Sequence, residues 1–286
     1  MGSPETYSAE SLPTPRTPAG REALEALVAR PGRAVVGLDF DGTLAPIVED
    51  PEKARAHPDA LPALAALAPR LAGVAIVTGR PAEVAVRNGT FAGAPGLEHL
   101  TVLGHYGAER WDARTGEVTA PAPHPGLAGV RDELPAVLER AGDWDGVWVE
   151  EKGRAVAVHT RRATTDPDGA FRALLGPLRD LAERHGLVLE PGRLVLEVRP
   201  AGVDKGVALT EYVRATGAQT VLYAGDDLGD LPAFAAVERL RAEGVAGLLV
   251  CSGSAEVTEL ADRADLVVDG PEGVVRLLRA LSTQLV

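Results

Sequence analysis

Two aspartates that stand one residue apart offer the clearest chemistry in the sequence. Asp39 and Asp41 follow the apolar run 34–38 and precede Gly42. Asp39 can attack phosphorus and bind a metal, while Asp41 can protonate a leaving oxygen and later activate water. Gly42 lets the backbone turn sharply and approach a phosphate. Because Asp and Gly are also common in turns that end strands, the motif gains meaning only from partners elsewhere in the chain.

Two groups that could hold a phosphate stand further along the chain. Thr78, Gly79 and Arg80 follow the apolar run 74–77, and a hydroxyl with backbone N–H groups can bind phosphate oxygens, although a helix N-cap is an equally good explanation of the Thr. Lys205 opens a predicted helix. Its ammonium could offset charge between a phosphate and a nucleophile, or it could be a surface lysine.

An acidic cluster follows a third apolar run. Asp226, Asp227 and Asp230 come directly after residues 220–224. Three carboxylates at one strand end repel one another unless a cation is present. Oxygen ligands without Cys or His suit magnesium, so the cluster predicts a Mg²⁺ site, with a solvated acidic turn as the alternative.

The elements that must position these residues alternate between buried strands and helices. Short Val-rich runs are separated by segments of helical spacing, which predicts an α/β fold with a doubly wound parallel sheet. The runs lie at 34–38, 74–77, 101–103, 220–224, 247–250 and 264–268. Because ligands bind at the carboxyl ends of such strands, the motifs are expected to meet there.

The middle of the chain has a different pattern. Strands in adjacent pairs flank a helix predicted over 168–185, which is typical of an antiparallel α+β module. We therefore predict a disordered N-terminal tail, an α/β core in two segments, and an inserted α+β cap. The predicted bounds are 1–20 for the tail, 21–109 and 199–286 for the core, and 110–198 for the cap.

Composition narrows the class of partner. The chain has 286 residues, of which 45% are hydrophobic, and a formal charge of −12; this argues against a nucleic-acid binder, which clusters Lys and Arg. The single cysteine, Cys251, excludes an internal disulfide and a cysteine-rich metal site. Neither a signal peptide nor a run of about 18 apolar residues stands out, so we expect no membrane contact and a cytoplasmic location.

The order of these motifs resembles the haloacid-dehalogenase-like phosphatase superfamily. The resemblance covers the four motifs and the core architecture, and it implies that Asp39 is the nucleophile and Asp41 the general acid/base. It assigns Thr78 and Lys205 to phosphate binding, with Gly79 and Arg80 beside them. The implied magnesium ligands are Asp39, Asp41 through its backbone carbonyl, Asp226, Asp227 as a support or alternative, and Asp230.

Three segments resemble trehalose-6-phosphate phosphatases within that superfamily. They are 104–109, 149–161 and 196–206. The resemblance places Glu150, Lys152 and Glu197 on the sugar hydroxyls and includes Glu109 among the substrate contacts. Carboxylates accept hydrogen bonds from sugar hydroxyls and Lys donates them, while solvated hairpin charges are the alternative. Glu151 is expected to point to the opposite face of its strand.

The resemblance implies hydrolysis of trehalose 6-phosphate through an aspartyl phosphate in trehalose biosynthesis. A small sugar phosphate is then the substrate, and a trehalose-6-phosphate synthase is a candidate partner. Two alternatives stay open: a related phosphatase for another sugar phosphate, and a catalytically silent domain that binds the sugar phosphate and regulates a partner. Gly229 and Leu231 depart from the family pattern, which has Thr and Glu there.

Overall fold

The computed structural model of the chain describes residues 11–48, 50–142, 144–253 and 258–285. The chain divides into a first unit, made of the described residues up to Thr119 and from Asp204 onward, and a second unit, Ala120–Val203. Within the described residues, no helix combines the length and the apolar character needed to cross a membrane.

The strands and helices are numbered in chain order. The strands are β1 (Ala34–Leu38), β2 (Gly73–Val77), β3 (Leu100–Gly104), β4 (Glu109–Asp112), β5 (Val118–Thr119), β6 (Trp148–Glu151), β7 (Val156–His159), β8 (Val188–Gly192), β9 (Val195–Arg199), β10 (Thr220–Gly225), β11 (Ala246–Gly253) and β12 (Leu266–Asp269). The α-helices are α1 (Pro18–Ala29), α2 (Ala60–Leu67), α3 (Ala82–Gly89), α4 (Gly126–Ala141), α5 (Pro167–Arg184), α6 (Lys205–Thr216), α7 (Leu231–Ala242), α8 (Thr258–Arg263) and α9 (Gly270–Gln284).

The first unit is built on one twisted sheet with helices on both faces. Its described strands run in the order β12-β11-β10-β1-β2-β3-β4-β5, and all neighbours from β12 to β3 are parallel. Side chains alternate along β1, so Val36 and Leu38 pack in one core with Leu278 of α9, whereas Val35 packs in a second core with Leu209 of α6. Burial on both faces explains the unbroken apolar runs and confirms the predicted doubly wound α/β fold.

The edge of this sheet extends beyond the predicted core boundary. β4 and β5 add antiparallel strands to β3, with Trp111 opposite Val102, and Trp111 is buried in the first unit's core. Residues 110–119 therefore belong to the first unit, and the second unit begins at Ala120 and ends at Val203 rather than spanning 110–198. β4 is short and has no clear alternation of apolar and polar residues, so the sequence pattern did not predict this strand.

The N-terminal segment also differs from the prediction. Residues 1–10 of the predicted tail lie outside the described residues, but α1 begins at Pro18, inside the predicted tail. Thr17 caps this helix by accepting from Gly20 N, and its hydroxyl donates to Asp265. Arg16 N donates to the Asp265 carbonyl at 2.9 Å. These polar contacts stabilise a Pro-rich segment whose composition alone suggested a tail.

The second unit is an antiparallel sheet with two helices on one face. Its described strands run in the order β6-β7-β9-β8, and α4 and α5 pack through Leu134 and Leu178 against Val156, Val158 and the alternate residues of β9. The helix predicted over 168–185 is α5. Because side chains alternate, Ala157 and Glu197, which are direct cross-strand partners, face the other side of the sheet.

Candidate active site

Three adjacent parallel strands end at residues that the sequence singled out. Asp39 follows β1, Thr78 follows β2, and Asp226 follows β10, and these strands are neighbours in the order β10-β1-β2. The register keeps their ends level, since Leu38 pairs with both Ala224 and Ile76. The sheet therefore brings the motifs together at its carboxyl edge, the place where α/β sheets bind ligands.

Lys205 connects two of the carboxylates. It is the first residue of α6, whose N-terminus is capped by Asp204. Its Nζ lies 2.8 Å from Asp39 Oδ1 and 2.7 Å from Asp230 Oδ1, and all three side chains are buried. Burial disfavours the ammonium, but Asp230 and Asp39 outweigh that effect and raise the pKa of Lys205 well above its usual value. Lys205 is therefore a permanent cation beside Asp39.

Asp230 is saturated with hydrogen bonds. Its Oδ1 accepts from Lys205 Nζ and from the Tyr223 hydroxyl, each at 2.7 Å, while its Oδ2 accepts from the N–H groups of Asp226 at 3.0 Å and Asp227 at 3.3 Å. The residue is fully buried. Asp227 caps the 3₁₀ turn Leu228–Asp230 by accepting from Gly229 N. Both aspartates thus shape the loop in which Asp226 stands.

The carboxylates can hold a cation. Asp39, Asp226 and Asp230 each offer an oxygen, and these oxygens lie within 4.8 Å of one another. Asp226 Oδ1 is buried and has no hydrogen-bond partner among the described residues. Burial, followed by the nearby Asp39 carboxylate, raises the pKa of Asp226 to about 10, and burial likewise raises the pKa of Asp39 well above its usual range. The available ligand atoms are all carboxylate oxygens, and the carboxylates outnumber the single Lys205 cation. Such a site fits a hard divalent cation. We call Asp39, Asp226, Asp230 and Lys205 the aspartate cluster.

Gly42 is needed for this packing. Its φ is +74°, and a Cβ there would lie 2.0 Å from Asp226 Oδ2. The Ser252 hydroxyl, at the end of β11, donates to the Gly42 carbonyl at 2.6 Å. Any side chain at this position would displace the Asp226 carboxylate, which explains why the turn after Asp41 requires glycine.

Asp41 is held by Arg80. Arg80 Nε donates to Asp41 Oδ2 at 2.6 Å and Nη2 to Oδ1 at 2.7 Å, a bidentate pair. Arg80 Nη1 also donates to the Pro51 carbonyl at 2.9 Å. The side chain of Arg80, predicted to bind substrate, thus contacts the predicted acid/base directly, and the side chain of Asp41 points to Arg80.

The loop after β2 is braced by a strained turn. His105 and Tyr106 both have positive φ, +48° and +59°, which costs non-glycine residues energy. In this turn the Tyr106 N–H donates to the Thr78 carbonyl and the His105 N–H to the Arg80 carbonyl, both at 2.9 Å. A Cβ on Gly79 would lie 2.8 Å from the Tyr106 ring. The turn therefore fixes the Thr78-Gly79-Arg80 loop.

Glu109 has a local structural contact. Its Oε2 accepts from Ala82 N, the first residue of α3, at 2.9 Å, and its Oε1 lies 3.7 Å from His105 Nε2. Negative charge at a helix N-terminus is stabilising. Glu109 therefore orients α3 and the turn beside it, and the predicted contact of Glu109 with substrate stays a prediction.

The second unit contains a separate polar group on the face opposite its helices. Glu150 and Glu197 each pair with Ala157 across the sheet. Lys152 Nζ lies 2.6 Å from Glu197 Oε2 and 3.9 Å from Glu150 Oε2, and His159 Nε2 lies 2.8 Å from Glu150 Oε2. Glu197 Oε1 is buried without a partner among the described residues. We call Glu150, Lys152, Glu197 and His159 the glutamate cluster.

The structure also shows functional candidates that sequence reasoning missed. Tyr223 lies inside an apolar strand, and its hydroxyl donates to Asp230 at 2.7 Å. His159 is the second candidate, because its Nε2 lies 2.8 Å from Glu150 Oε2. For His159 the side-chain alternation of a strand offered a weak signal, because His159 stands two residues after Ala157, the cross-strand partner of Glu150 and Glu197.

Fold and site together define the haloacid-dehalogenase-like class, an α/β sheet with an aspartate at the end of its central strand, a lysine beside it and an acidic loop on the neighbouring strand. The sequence profile described as Trehalose-phosphatase matches residues 37–268. The chain belongs to the trehalose-phosphatase family.

Individual relatives agree with this assignment. The trehalose-phosphate phosphatase of Mycobacterium tuberculosis is 34% identical over 272 residues, which cover 91% of this chain and 64% of that protein. This chain therefore spans less than two thirds of that relative's length. Solved structures show the same fold: the trehalose-6-phosphate phosphatase C-terminal domain of C. albicans has a TM-score of 0.75 at 21% identity, covering 95% of this chain and 99% of that chain.

A regulatory protein shares this fold. The C-terminal domain of the Candida albicans trehalose synthase regulatory protein superposes with a TM-score of 0.66 at 14% identity, covering 95% of this chain and 99% of that chain. At this identity the likeness concerns the fold alone. The activity must therefore be argued from the side chains of the site.

Proposed function

We propose that this protein hydrolyses trehalose 6-phosphate to trehalose and phosphate through an aspartyl phosphate on Asp39, as a step in trehalose biosynthesis. The observation that carries the proposal is the Lys205 ammonium 2.8 Å from Asp39 Oδ1, in a cluster where Asp226 Oδ1 is buried and has no hydrogen-bond partner in the described part of the chain. Family membership over residues 37–268 supports the choice of reaction class and substrate.

In the first half-reaction a carboxylate oxygen of Asp39 attacks phosphorus. The new bond joins Asp39 to phosphorus, and the bond from phosphorus to the sugar oxygen breaks. Asp41 donates a proton to that oxygen, so that trehalose leaves as a neutral alcohol. Lys205 stabilises the negative charge on the phosphoryl oxygens, and the Thr78 hydroxyl with nearby N–H groups orients them, because positioning and charge stabilisation supply most of the rate in phosphoryl transfer.

In the second half-reaction water attacks the phosphoryl group on Asp39, and Asp41 accepts the proton from this water. The bidentate contact with Arg80 suits this basic form, since both oxygens of Asp41 accept hydrogen bonds. In the first half-reaction Asp41 must carry a proton, and one of these two contacts is given up. Arg80 thereby orients the Asp41 carboxylate.

A magnesium ion is the cofactor that we propose for the aspartate cluster. Asp39 and Asp226 would hold it through carboxylate oxygens, together with the Asp41 carbonyl that the resemblance implies. Asp230 and Asp227 would orient the loop of Asp226, because their oxygens already accept hydrogen bonds from the protein. When bound, the ion supplies the positive charge that keeps the carboxylates ionised and offsets the charge of the phosphate.

Glu150, Lys152 and Glu197 are proposed to recognise the sugar. Glu197 Oε1 is a buried acceptor without a protein partner among the described residues, while Glu197 Oε2 is held by Lys152. A neutral sugar offers hydroxyl donors to such an acceptor without adding charge. Glu151 lies on the opposite side of β6 and pairs with Arg131 at 2.8 Å, which keeps it outside this role.

Phosphate release from a panel of sugar phosphates, with magnesium and with chelator, tests the proposal. We expect magnesium-dependent release from trehalose 6-phosphate and little from glucose 6-phosphate or sucrose phosphate. Rapid release from another sugar phosphate would retain the mechanism and reject the substrate. A folded protein that releases no phosphate from any of them, yet is stabilised by trehalose 6-phosphate, would be a silent regulatory domain.

A further inference from the structure

His159 has the geometry of a residue that holds Glu150 in place. The Nε2 of His159 lies 2.8 Å from Glu150 Oε2. An ionised carboxylate can only accept hydrogen bonds, so Nε2 carries the proton and donates. His159 is the last residue of β7 and is half-buried, with 21% of its side chain exposed. The contact therefore joins neighbouring strands at the face that carries the glutamate cluster.

The His159 ring is itself fixed by Trp148. These residues are direct partners across β6 and β7. Their ring centroids are 4.1 Å apart and the rings are within 4° of parallel, an aromatic stack of the kind that stabilises cross-strand pairs. The Arg162 guanidinium lies over the Trp148 ring, 5.9 Å from its centroid. The stack removes the freedom of His159 to rotate away from Glu150.

Holding Glu150 matters because a glutamate side chain is flexible. Glu150 is 35% exposed, and without a fixed partner it would sample several rotamers. Ordering such a side chain on binding costs free energy, whereas a side chain that is already ordered avoids that cost. Lys152 Nζ, 3.9 Å away from the same Glu150 oxygen, already pairs with Glu197 at 2.6 Å. The nearer hydrogen bond of His159 is thus the stronger constraint on Glu150 Oε2.

We propose that His159, stacked on Trp148, is a positioning residue that presets the Glu150 carboxylate for a hydroxyl of a neutral sugar. It acts through Glu150 and selects between phosphate esters that carry a sugar and those that do not. This proposal rests on the proposed function. It adds a residue to the specificity set that the sequence placed on Glu150, Lys152 and Glu197.

Two substitutions of His159 separate its hydrogen bond from its packing. His159→Phe keeps a flat ring against Trp148 and removes the donor, whereas His159→Gln keeps an N–H donor at a similar reach. The measurements are kcat and KM for trehalose 6-phosphate and for p-nitrophenyl phosphate, which has no sugar. Glu151→Gln is the matched control, since Glu151 lies on the opposite side of β6 and is paired with Arg131.

For trehalose 6-phosphate, we expect His159→Phe to raise KM by about three- to tenfold, with kcat nearly unchanged, because Glu150 then loses one hydrogen bond and the substrate must order it to a greater extent. Hydrolysis of p-nitrophenyl phosphate should stay at the wild-type rate in all variants. His159→Gln should recover most of the lost affinity, and Glu151→Gln should match wild type with both substrates.

Three results would overturn the assignment of His159. They are a His159→Phe variant with wild-type KM for trehalose 6-phosphate, equal losses in His159→Phe and His159→Gln, and a parallel loss with p-nitrophenyl phosphate. Failure of the proposed function looks different, because then wild-type protein itself prefers another sugar phosphate. The same variants assayed with that preferred ester would still decide whether His159 positions Glu150.

Discussion

The aspartate cluster and the glutamate cluster both place carboxylates beside one lysine, but their charge balance differs. In the aspartate cluster, Lys205 pairs with Asp39 and Asp230 beside Asp226, and each of the four residues is at most 5% exposed. In the glutamate cluster, Lys152 pairs with Glu197 and His159 donates to Glu150, which is 35% exposed.

This difference fits two kinds of ligand. Burial, together with the neighbouring carboxylates, raises the pKa of Asp39 and Asp226, and a bound cation would balance the negative charge of such a site. In the glutamate cluster each carboxylate has a basic side chain beside it, and Glu197 Oε1 is buried without a hydrogen-bond partner among the described residues, which suits neutral hydroxyl donors. Under the proposed function, the chain would separate phosphate chemistry from sugar recognition by the local ratio of acids to bases.

The largest expected effect is the loss of turnover in Asp39→Asn. An amide cannot replace the carboxylate as nucleophile, so we expect kcat to fall at least about 10³-fold with every phosphate ester. Circular dichroism should show a folded protein. Residual activity close to wild type, in protein free of contaminating phosphatase, would remove Asp39 from the role of nucleophile.

Asp230→Asn should mainly reduce stability. An asparagine would turn an N–H group towards Lys205, Tyr223 or a backbone donor, and it would leave the buried lysine with one acidic partner fewer. Breaking a buried pair in this way costs about 3–5 kcal/mol, which corresponds to a fall in Tm of roughly 10 °C for a chain of this size. Thermal unfolding in chelator measures it. An unchanged Tm would mean that the four hydrogen bonds of Asp230 carry no net stability.

Glu197→Gln tests the glutamate cluster. The amide keeps the shape of the side chain but weakens the contact with Lys152 and turns a donor towards either the lysine or the sugar. A hydrogen bond to a charged group is worth about 1.5–3 kcal/mol, so kcat/KM for trehalose 6-phosphate should fall about 10- to 150-fold. The rate with p-nitrophenyl phosphate serves as the control and should not change. Equal losses with both esters would make Glu197 a structural residue.

Asp226→Asn should stabilise the metal-free protein, in contrast to Asp230→Asn. It removes a buried carboxyl group whose ionisation the folded protein disfavours and whose Oδ1 has no hydrogen-bond partner among the described residues, and we expect Tm in chelator to rise by about 3 °C or more. Magnesium chloride should raise the Tm of wild type and leave Asp226→Asn nearly unaffected, because the ion would have lost a ligand. A magnesium shift of equal size in both proteins would place the ion elsewhere.

The same residue predicts a pH dependence. The pKa of Asp226 is raised to about 10 in the folded protein, against about 3.9 in an unfolded chain. An acid whose pKa is higher in the folded than in the unfolded protein favours folding while it is protonated. The contribution of Asp226 to stability is therefore greatest below pH about 3.9 and is lost as the pH rises towards about 10. In chelator, the stability of wild type relative to Asp226→Asn should therefore decline across this range. A constant difference would contradict the raised pKa.

Much of the fold could be predicted from the sequence because buried parallel strands leave unbroken apolar runs. The runs at 34–38, 74–77 and 220–224 correspond to β1, β2 and β10, and residues at their ends meet because parallel strands share one carboxyl edge. β4 and the start of α1 were missed. Both depend on contacts distant in the chain, Trp111 in the first unit's core and Thr17 on Asp265, which local pattern does not encode.

Local sequence by itself determined the motifs, their order and the strand ends at which they stand, since these depend only on short-range propensity and side-chain period. The tertiary structure decided which carboxylate oxygens of these motifs accept hydrogen bonds from the protein and which do not. The acidic loop contains Asp226 and Asp230 only four residues apart, yet Asp230 is saturated by Tyr223, Lys205 and two N–H groups, while Asp226 Oδ1 has no partner among the described residues. Which carboxylate is satisfied depends on donors brought from other elements, and only the packed fold sets those distances.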